Sequence, residues 1–252
     1  FIEELIKFTP DIVFNALHGK WGEDGTIQGV LESLNFPYTH SGVLASAVAM
    51  DKDLAKIFFK DSGIPVVQHS VLNFRFKKED ISFSFPYVVK PLNGGSSVGV
   101  KIFRNIDDWK FNDDWIKEEN KYIVEPYIPG RELTVSVMAN KALAVTEILS
   151  KEWYNYEAKY IPGASKHIIP ADIPEKINNL CLKYALESHK KLGCRGVTRT
   201  DFRWNEELGI EGLFVLELNT QPGMTPTSLV PEQAHFVGIT FEDICDWLIK
   251  DA

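Results

Sequence analysis

The chain has 252 residues, 44% of them hydrophobic and 25% charged. Those proportions are globular, which excludes intrinsic disorder and fibrous repeats, and the length allows one large domain or two to three small ones. Lys and Arg number 27 against 35 Asp and Glu, a net charge of −8 that argues against a general nucleic-acid-binding face.

Phe1-Ile2-Glu3-Glu4-Leu5 lacks the basic start and cleavage site of a secretory signal. Residues 1–8 have the apolar spacing of a short amphipathic helix closed by Pro10. Residues 11–17 are nearly continuous in apolar side chains, as buried parallel strands are, and predict a strand. The loop His18-Gly-Lys-Trp-Gly-Glu-Asp-Gly25 follows, with Thr26 as the expected cap of a helix to Leu34. Strand, glycine-rich loop and helix make an α/β unit whose loop lies at the strand's carboxyl end, where such units bind ligands.

Helices are expected over 41–50 and 51–62, the second stopped by Gly63 and Pro65. The longest apolar run, from Val43 to Met50, is broken by Ser46 and falls far short of the roughly 18–20 residues of a membrane span. No membrane association is expected. From Val66 the pattern changes to short strands at 66–72, 86–91, 100–103 and 122–127. Residues 105–120 are charged, with Ile106, Trp109 and Trp115 spaced for one weak surface helix.

Residues 132–139 and 142–149 bracket Asn140-Lys141 as a hairpin. Residues 151–166 carry Trp153, Tyr154, Tyr156 and Tyr160 without a clean period, and stretches of that length are commonly functional lids or disordered. A helix is predicted over 174–192, with Ile177, Leu180, Cys181, Tyr184 and Leu192 on one face and Gly193 just past its end. Strands at 196–204 and 213–218 flank the polar turn 205–212, and helices at 231–237 and 241–250 finish the chain. Cys181, Cys194 and Cys245 show no C-x-x-C spacing, which predicts free thiols in a reducing, cytoplasmic setting and no cysteine metal site.

Glu217 and Asn219 stand at i and i+2 on a strand and so share one face, and antiparallel pairing brings Asp201 beside them. Three oxygen donors without His or Cys suit Mg²⁺ that keeps its waters and binds substrate phosphates; hydrogen-bonded edge carboxylates are the competing reading. Asn93-Gly-Gly-Ser-Ser-Val-Gly99 lies between a strand ending in Lys90-Pro91 and one beginning at Val100. Its glycines let backbone N–H groups approach anionic oxygens, with Lys90 adding charge. A strand follows it, so it is neither a Walker A loop nor a dinucleotide fingerprint, and a plain glycine-rich hairpin is the alternative.

The His18–Gly25 loop, Met50-Asp-Lys52, Val89-Lys-Pro91 with Gly95-Ser-Ser-Val-Gly99, Tyr156-Glu-Ala-Lys-Tyr160 and Leu216-Glu-Leu-Asn-Thr-Gln-Pro-Gly-Met-Thr225 occur in one order. Together they resemble the D-alanine–D-alanine ligase family of the ATP-grasp superfamily, over essentially the whole chain. The resemblance implies an α/β and α+β architecture, an ATP-grasp fold with a truncated N-terminal α/β domain (the preATP-grasp domain). Residues 1–49 are expected to be its remnant, 50–129 the central lobe and 130–252 the catalytic lobe. The family begins with a further strand and a Ser-x-Glu segment, so the natural N-terminus is expected upstream of Phe1, with a homodimer at full length.

The resemblance also implies roles. Glu125 lies near the exocyclic amine of adenine, and Glu132 binds the ribose. Because Pro126 has no N–H, the backbone donor to adenine must be Tyr127 or Ile128. Lys52, Lys90 and Lys159 contact phosphates, with Ser97 in the covering loop. Asp201, Glu217 and Asn219 hold two Mg²⁺ ions, with Mn²⁺ as the alternative metal. His18 lies near the first D-alanine, Ser228 and Leu229 bind the carboxylate of the second, and Glu23 pairs with Lys159 when the loop closes. Arg199 and the Gly223 N–H stabilise an oxyanion. Ser96 and Tyr160 belong to a hydrogen-bonded set completed by the upstream Glu, and Tyr160 favours an amine over a hydroxyl nucleophile. The implied reaction uses ATP to convert one D-alanine to an acyl phosphate, which the amine of a second D-alanine attacks. A ligase with another acceptor, such as D-lactate, and an inactive nucleotide-binding fragment are the rival readings.

Overall fold

Helix α1 (Ile2–Phe8) forms as its apolar spacing predicts and ends at Thr9 in a left-handed turn ahead of Pro10. The strand expected over 11–17 does not form. Val13 makes one parallel bridge to Tyr38, while Phe14 and Leu17 are 36% and 52% exposed. A continuous apolar run becomes a buried parallel strand only with ladder partners on both sides, and the described residues supply one short partner. Thr26 is the first residue of α2 (Thr26–Ser33) and not its cap; Gly25, at φ 91°, holds the cap position, where a side chain would be strained. Asp24 Oδ1 accepts the Thr26 N–H at 3.0 Å.

The computed structural model describes residues 1–73, 76–95, 98–109, 121–150 and 165–252. Helices α3 (Val43–Met50) and α4 (Lys52–Asp61) follow as expected, with the Asp51 side chain capping α4 through the Asp53 and Leu54 N–H groups. The buried stripe of α4 is Lys52, Ala55, Lys56 and Phe59, the i, i+3, i+4, i+7 pattern of an amphipathic helix with two lysines placed in it.

Strands β1 (Ser70–Asn73), β2 (Tyr87–Pro91), β3 (Lys101–Phe103) and β4 (Lys121–Pro126) form an antiparallel sheet in the order β1-β4-β2-β3. The first strand starts later than expected because Val66 bridges in parallel to Val215 in the other sheet. Of the helix expected over 105–120, Ile106–Trp109 is a single 3₁₀ turn, and 110–120 lie outside the described residues. Phe76, Tyr87, Phe103, Tyr122 and Val124 form this sheet's core, with Trp109 packed against it.

The second sheet contains β5 (Arg131–Met138), β6 (Lys141–Ser150), β7 (Ser165–Ile168), β8 (Val197–Trp204) and β9 (Leu213–Asn219), antiparallel in the order β7-β6-β5-β8-β9. One face carries Leu133, Val135, Val137, Phe202 and Val215, which pack with Ile177, Cys181 and Ala185 of α5 (Glu175–Lys191). Each fully buried Val, Leu, Ile or Phe side chain stabilises the fold by roughly 1.5–3 kcal/mol. Ala55 and Phe59 of α4 join the same core, so a helix that a division at residue 50 gives to the central lobe shares the interior of the second sheet. Leu143 and Val197 pack against α6 (Leu229–Phe236) and α7 (Phe241–Asp251) in a further cluster. The three cysteines are free, and among the described residues no helix is long and apolar enough to cross a membrane.

Candidate active site

The register of β8 and β9 pairs Asp201 with Glu217 and Arg199 with Asn219. Alternation along the strands therefore turns all four side chains to one face, the juxtaposition that the i, i+2 spacing predicts. Arg199 Nε and Nη2 donate to Asp201 Oδ1 and Oδ2, both at 2.8 Å, and Thr134 Oγ1 donates to Oδ1 at 2.6 Å. Lys52 Nζ lies 3.7 Å from Glu217 Oε2 and also donates to the Gly94 carbonyl. The Gln221 N–H donates to Asn219 Oδ1 at 2.7 Å and fixes the orientation of that amide.

Among the described residues there is no cluster of three His, Cys, Asp or Glu side chains able to hold a metal. The donors here are two carboxylates and one amide, all hard oxygens, and a carboxylate has about four lone-pair sites, so Asp201 keeps capacity beside the Arg199 fork. Such a set fits a divalent cation that retains waters and shares phosphate oxygens.

A narrow slot of about 80 Å³ lies between the two sheets, walled by Val67, Val88, Val98, Val100 and Leu216. Glu125 is 3% exposed there, with Lys90 Nζ 2.8 Å from Oε2 and Lys56 Nζ on Oε1. Burial alone would push this carboxyl up; Lys90 and Lys56 outweigh burial and hold it down to about 2. Arg203 gathers the adjoining edge: it donates to the Ile128 carbonyl at 3.0 Å, to Tyr127 Oη at 3.3 Å and to Glu132 Oε2 at 3.5 Å. The Tyr127 N–H donates to the Pro86 carbonyl at 3.0 Å. The sequence singles out neither Lys56 nor Arg203. The available signal for Lys56 is its position four residues after Lys52, on the same helix face.

A wider cavity of about 380 Å³ holds His18, Glu23, Arg199, Gly223, Ser228 and Leu229. It shares Lys52, Gly94, Gly95 and Glu217 with the slot, so the two form one cleft. His18 Nδ1 is 3.2 Å from Glu23 Oε1, and that hydrogen bond raises the His18 pKa against the opposing effect of burial. The other Glu23 oxygen lies 3.2 Å from where a Cβ on Gly95 would stand, so the small residue admits this approach. The Thr225 N–H donates to Ser228 Oγ at 3.0 Å, in the turn that leads into α6. Ser96, Ser97, Lys159 and Tyr160 lie outside the described residues, as does the 151–164 part of the expected loop.

The His18 loop is tied to the end of β9 by buried polar groups. Asn15 Nδ2 donates to Gln221 Oε1 and to the Gly22 carbonyl, both at 3.2 Å, and Gln221 Nε2 donates to the Asn15 carbonyl. Gln28 Nε2 reaches the same Gly22 carbonyl at 2.9 Å.

Comparison with known proteins matches this geometry to a family. The model described as D-ala D-ala ligase C-terminus matches residues 58–250, and that described as D-ala D-ala ligase N-terminus matches residues 3–41. A D-alanine–D-alanine ligase of Ruegeria sp. (strain TM1040) is 52% identical across 100% of this chain and 82% of its own length. One from Cereibacter sphaeroides (strain ATCC 17029) is 53% identical across 98% of this chain and 80% of its own. Among solved structures, the D-alanine–D-alanine ligase of Bacillus anthracis complexed with ATP superposes with a TM-score of 0.83 at 31% identity, covering 100% of this chain and 82% of that one. The enzyme of Coxiella burnetii gives a TM-score of 0.81 at 31% identity, covering 96% of this chain and 67% of that one. With two sheets facing one cleft, and both family models matched in order, the chain belongs to the D-alanine–D-alanine ligase family, the ATP-grasp enzymes that join two D-alanine molecules through an acyl phosphate for peptidoglycan synthesis.

Proposed function

We propose that the slot between the sheets takes the base and ribose of ATP, and that the wider cavity takes the two D-alanine molecules. The observation that carries this reading is the grouping of Arg199, Asp201, Glu217 and Asn219 on one cleft face with Lys52, where slot and cavity join. Glu125 accepts from the exocyclic amine of adenine. Because the Tyr127 N–H is already used by Pro86, the backbone donor to the base is the Ile128 N–H. Glu132, held by Arg203, takes the ribose hydroxyls. Lys52 and Lys90 contact the phosphates, with Lys159 and Ser97 assigned beside them on the family resemblance.

Asp201, Glu217 and Asn219 hold Mg²⁺; when bound, it supplies the charge neutralisation that lets an anionic carboxylate approach an anionic phosphate. The first D-alanine lies by His18, which Glu23 orients. Its carboxylate oxygen forms a bond to the γ-phosphorus as the bond from that phosphorus to the bridging oxygen breaks, releasing ADP. Ser228 and the Leu229 N–H, at the start of α6, receive the carboxylate of the second D-alanine, where a helix terminus favours an anion. The amine nitrogen of that molecule attacks the acyl carbon, phosphate leaves, and the nitrogen loses a proton. Arg199 and the Gly223 N–H stabilise the oxyanion of this step, and on the family resemblance Ser96 and Tyr160 belong to a separate hydrogen-bonded set that favours an amine nucleophile. Free thiols at Cys181, Cys194 and Cys245 support a cytoplasmic setting, and the family resemblance assigns a homodimer at full length.

The test is ADP release from ATP and Mg²⁺ with D-alanine, against L-alanine and D-lactate, with product masses recorded. The expected outcome is D-alanine-dependent release with a dipeptide product. Release that does not depend on D-alanine, or an ester product from D-lactate in preference to the dipeptide, would sink the reading.

A further inference from the structure

Helix α4 carries two lysines on its buried stripe, one turn apart, and they serve different ends of the cleft. Lys52 reaches Glu217 and Gly94, where the slot opens into the wider cavity. Lys56 is 1% exposed; its ammonium holds Glu125 Oε1 and donates to the Val67 carbonyl at 3.1 Å. Lys90 holds the other oxygen of the same carboxylate and lines the slot, which Lys56 does not.

Lys56 and Lys90 hold the two oxygens of one carboxylate, and burial pushes the Lys56 ammonium down against the pull of Glu125. Of the two, Lys90 lines the slot and is the member placed to meet an anionic ligand there. Once a phosphate draws Lys90 away, Glu125 keeps only Lys56. Without Lys56 the buried carboxyl would then have neither ammonium, and burial would favour its protonated form. The difference matters for recognition. An ionised carboxylate only accepts hydrogen bonds, whereas a protonated one also donates. The first discriminates a purine amine from a purine oxygen at the same position; the second does not.

We infer that Lys56 is a positioning residue for nucleotide-base selection, keeping Glu125 ionised and in place while Lys90 serves the phosphates. The inference rests on the proposed placement of adenine beside Glu125. Lys56 acts through Glu125 and touches no substrate atom itself.

The experiment compares Lys56→Met, Glu125→Gln and the double variant with the unaltered enzyme, using ATP and GTP as nucleotides, with thermal melting as the folding control. Methionine keeps an unbranched side chain of similar length in the α4 stripe. Lys56→Met is expected to shrink the ATP-over-GTP preference in kcat/KM about tenfold and to raise KM for ATP by a similar factor, as expected where a site built for one polar group loses its complement. KM for D-alanine should stay unchanged. In the Glu125→Gln background, Lys56→Met should add nothing, because no charge remains to be held. Proton uptake on ATP binding, measured by calorimetry in buffers of different ionisation enthalpy, should appear in Lys56→Met and not in the unaltered enzyme.

A folded Lys56→Met variant that keeps its base preference, while Glu125→Gln loses it, overturns the role of Lys56 alone. Unchanged preference in Glu125→Gln overturns the placement of adenine beneath it. If Lys56→Met does not fold, Lys56→Arg carries the test. Retained preference is the expected result there, and lost preference at an unchanged melting temperature overturns the inference.

Discussion

Gly223 is placed so that any larger residue would disturb Ser228, the proposed contact of the second D-alanine. A Cβ there would stand 2.8 Å from Ser228 Oγ, the atom that accepts the Thr225 N–H and lies 2.8 Å from Thr225 Oγ1. Gly223→Ala should therefore displace Ser228 and raise the KM for the second D-alanine about tenfold, the scale of forcing one methyl into a packed site. Trapping the acyl phosphate with hydroxylamine, which bypasses the acceptor site, should proceed at the original rate. Equal loss in both assays would show that the residue serves the first step. At this scale the sequence was partly legible. Asp201, Glu217 and Asn219 were identifiable from residue type and spacing, but Arg203 and Lys56 were not, because what defines them is a partner far along the chain: Glu132 for one and Glu125 for the other.

Among the elements, β8 and β9 carry most of the residues proposed for the chemistry. Their pairing sets Asp201 opposite Glu217, and the irregularity immediately after Asp201 shifts the register toward Phe202 and Val215, which belong to the core. One strand pair thus presents oxygen donors to the cleft and apolar side chains to the interior. Glu217→Gln keeps size and strand propensity while removing a charge from the face proposed to bind the metal, so the fold should persist and turnover should fall by at least about 100-fold. Steady-state kinetics with excess Mg²⁺ and a melting curve test this, and an unchanged rate removes Glu217 from the mechanism. The β5–β6 hairpin and α5 were legible because alternation and 3.6-residue periodicity are local properties. The segment 11–17 has the composition of a buried strand, yet it makes a single bridge, because strand formation also needs neighbours that composition does not reveal.

For the molecule as a whole, the decisive contact joins the chain's beginning to its end. Gln221 is 1% exposed and exchanges hydrogen bonds with Asn15, two hundred and six positions away. This contact holds the His18 loop over the strand end that carries Asn219, itself fixed by the Gln221 N–H. Gln221→Leu would take away the donor to the buried Asn15 carbonyl and one of the two acceptors of the Asn15 amide, costing about 1–3 kcal/mol. The melting temperature should fall, and KM for the first D-alanine should rise more than KM for ATP, since the slot proposed for the nucleotide lies between the sheets and uses neither residue. A parallel rise in both constants would show general loosening in place of a specific tie. By itself the sequence determined the family and the placing of Asp201, Glu217 and Asn219 on one strand face, because these are carried by residue type and short spacing. Only the tertiary structure decided that α4 packs on the second sheet, that Lys56 and Lys90 share Glu125, and that Asn15 and Gln221 lock together. Each of these depends on groups that meet only when burial removes water from both, and no local pattern encodes such a meeting.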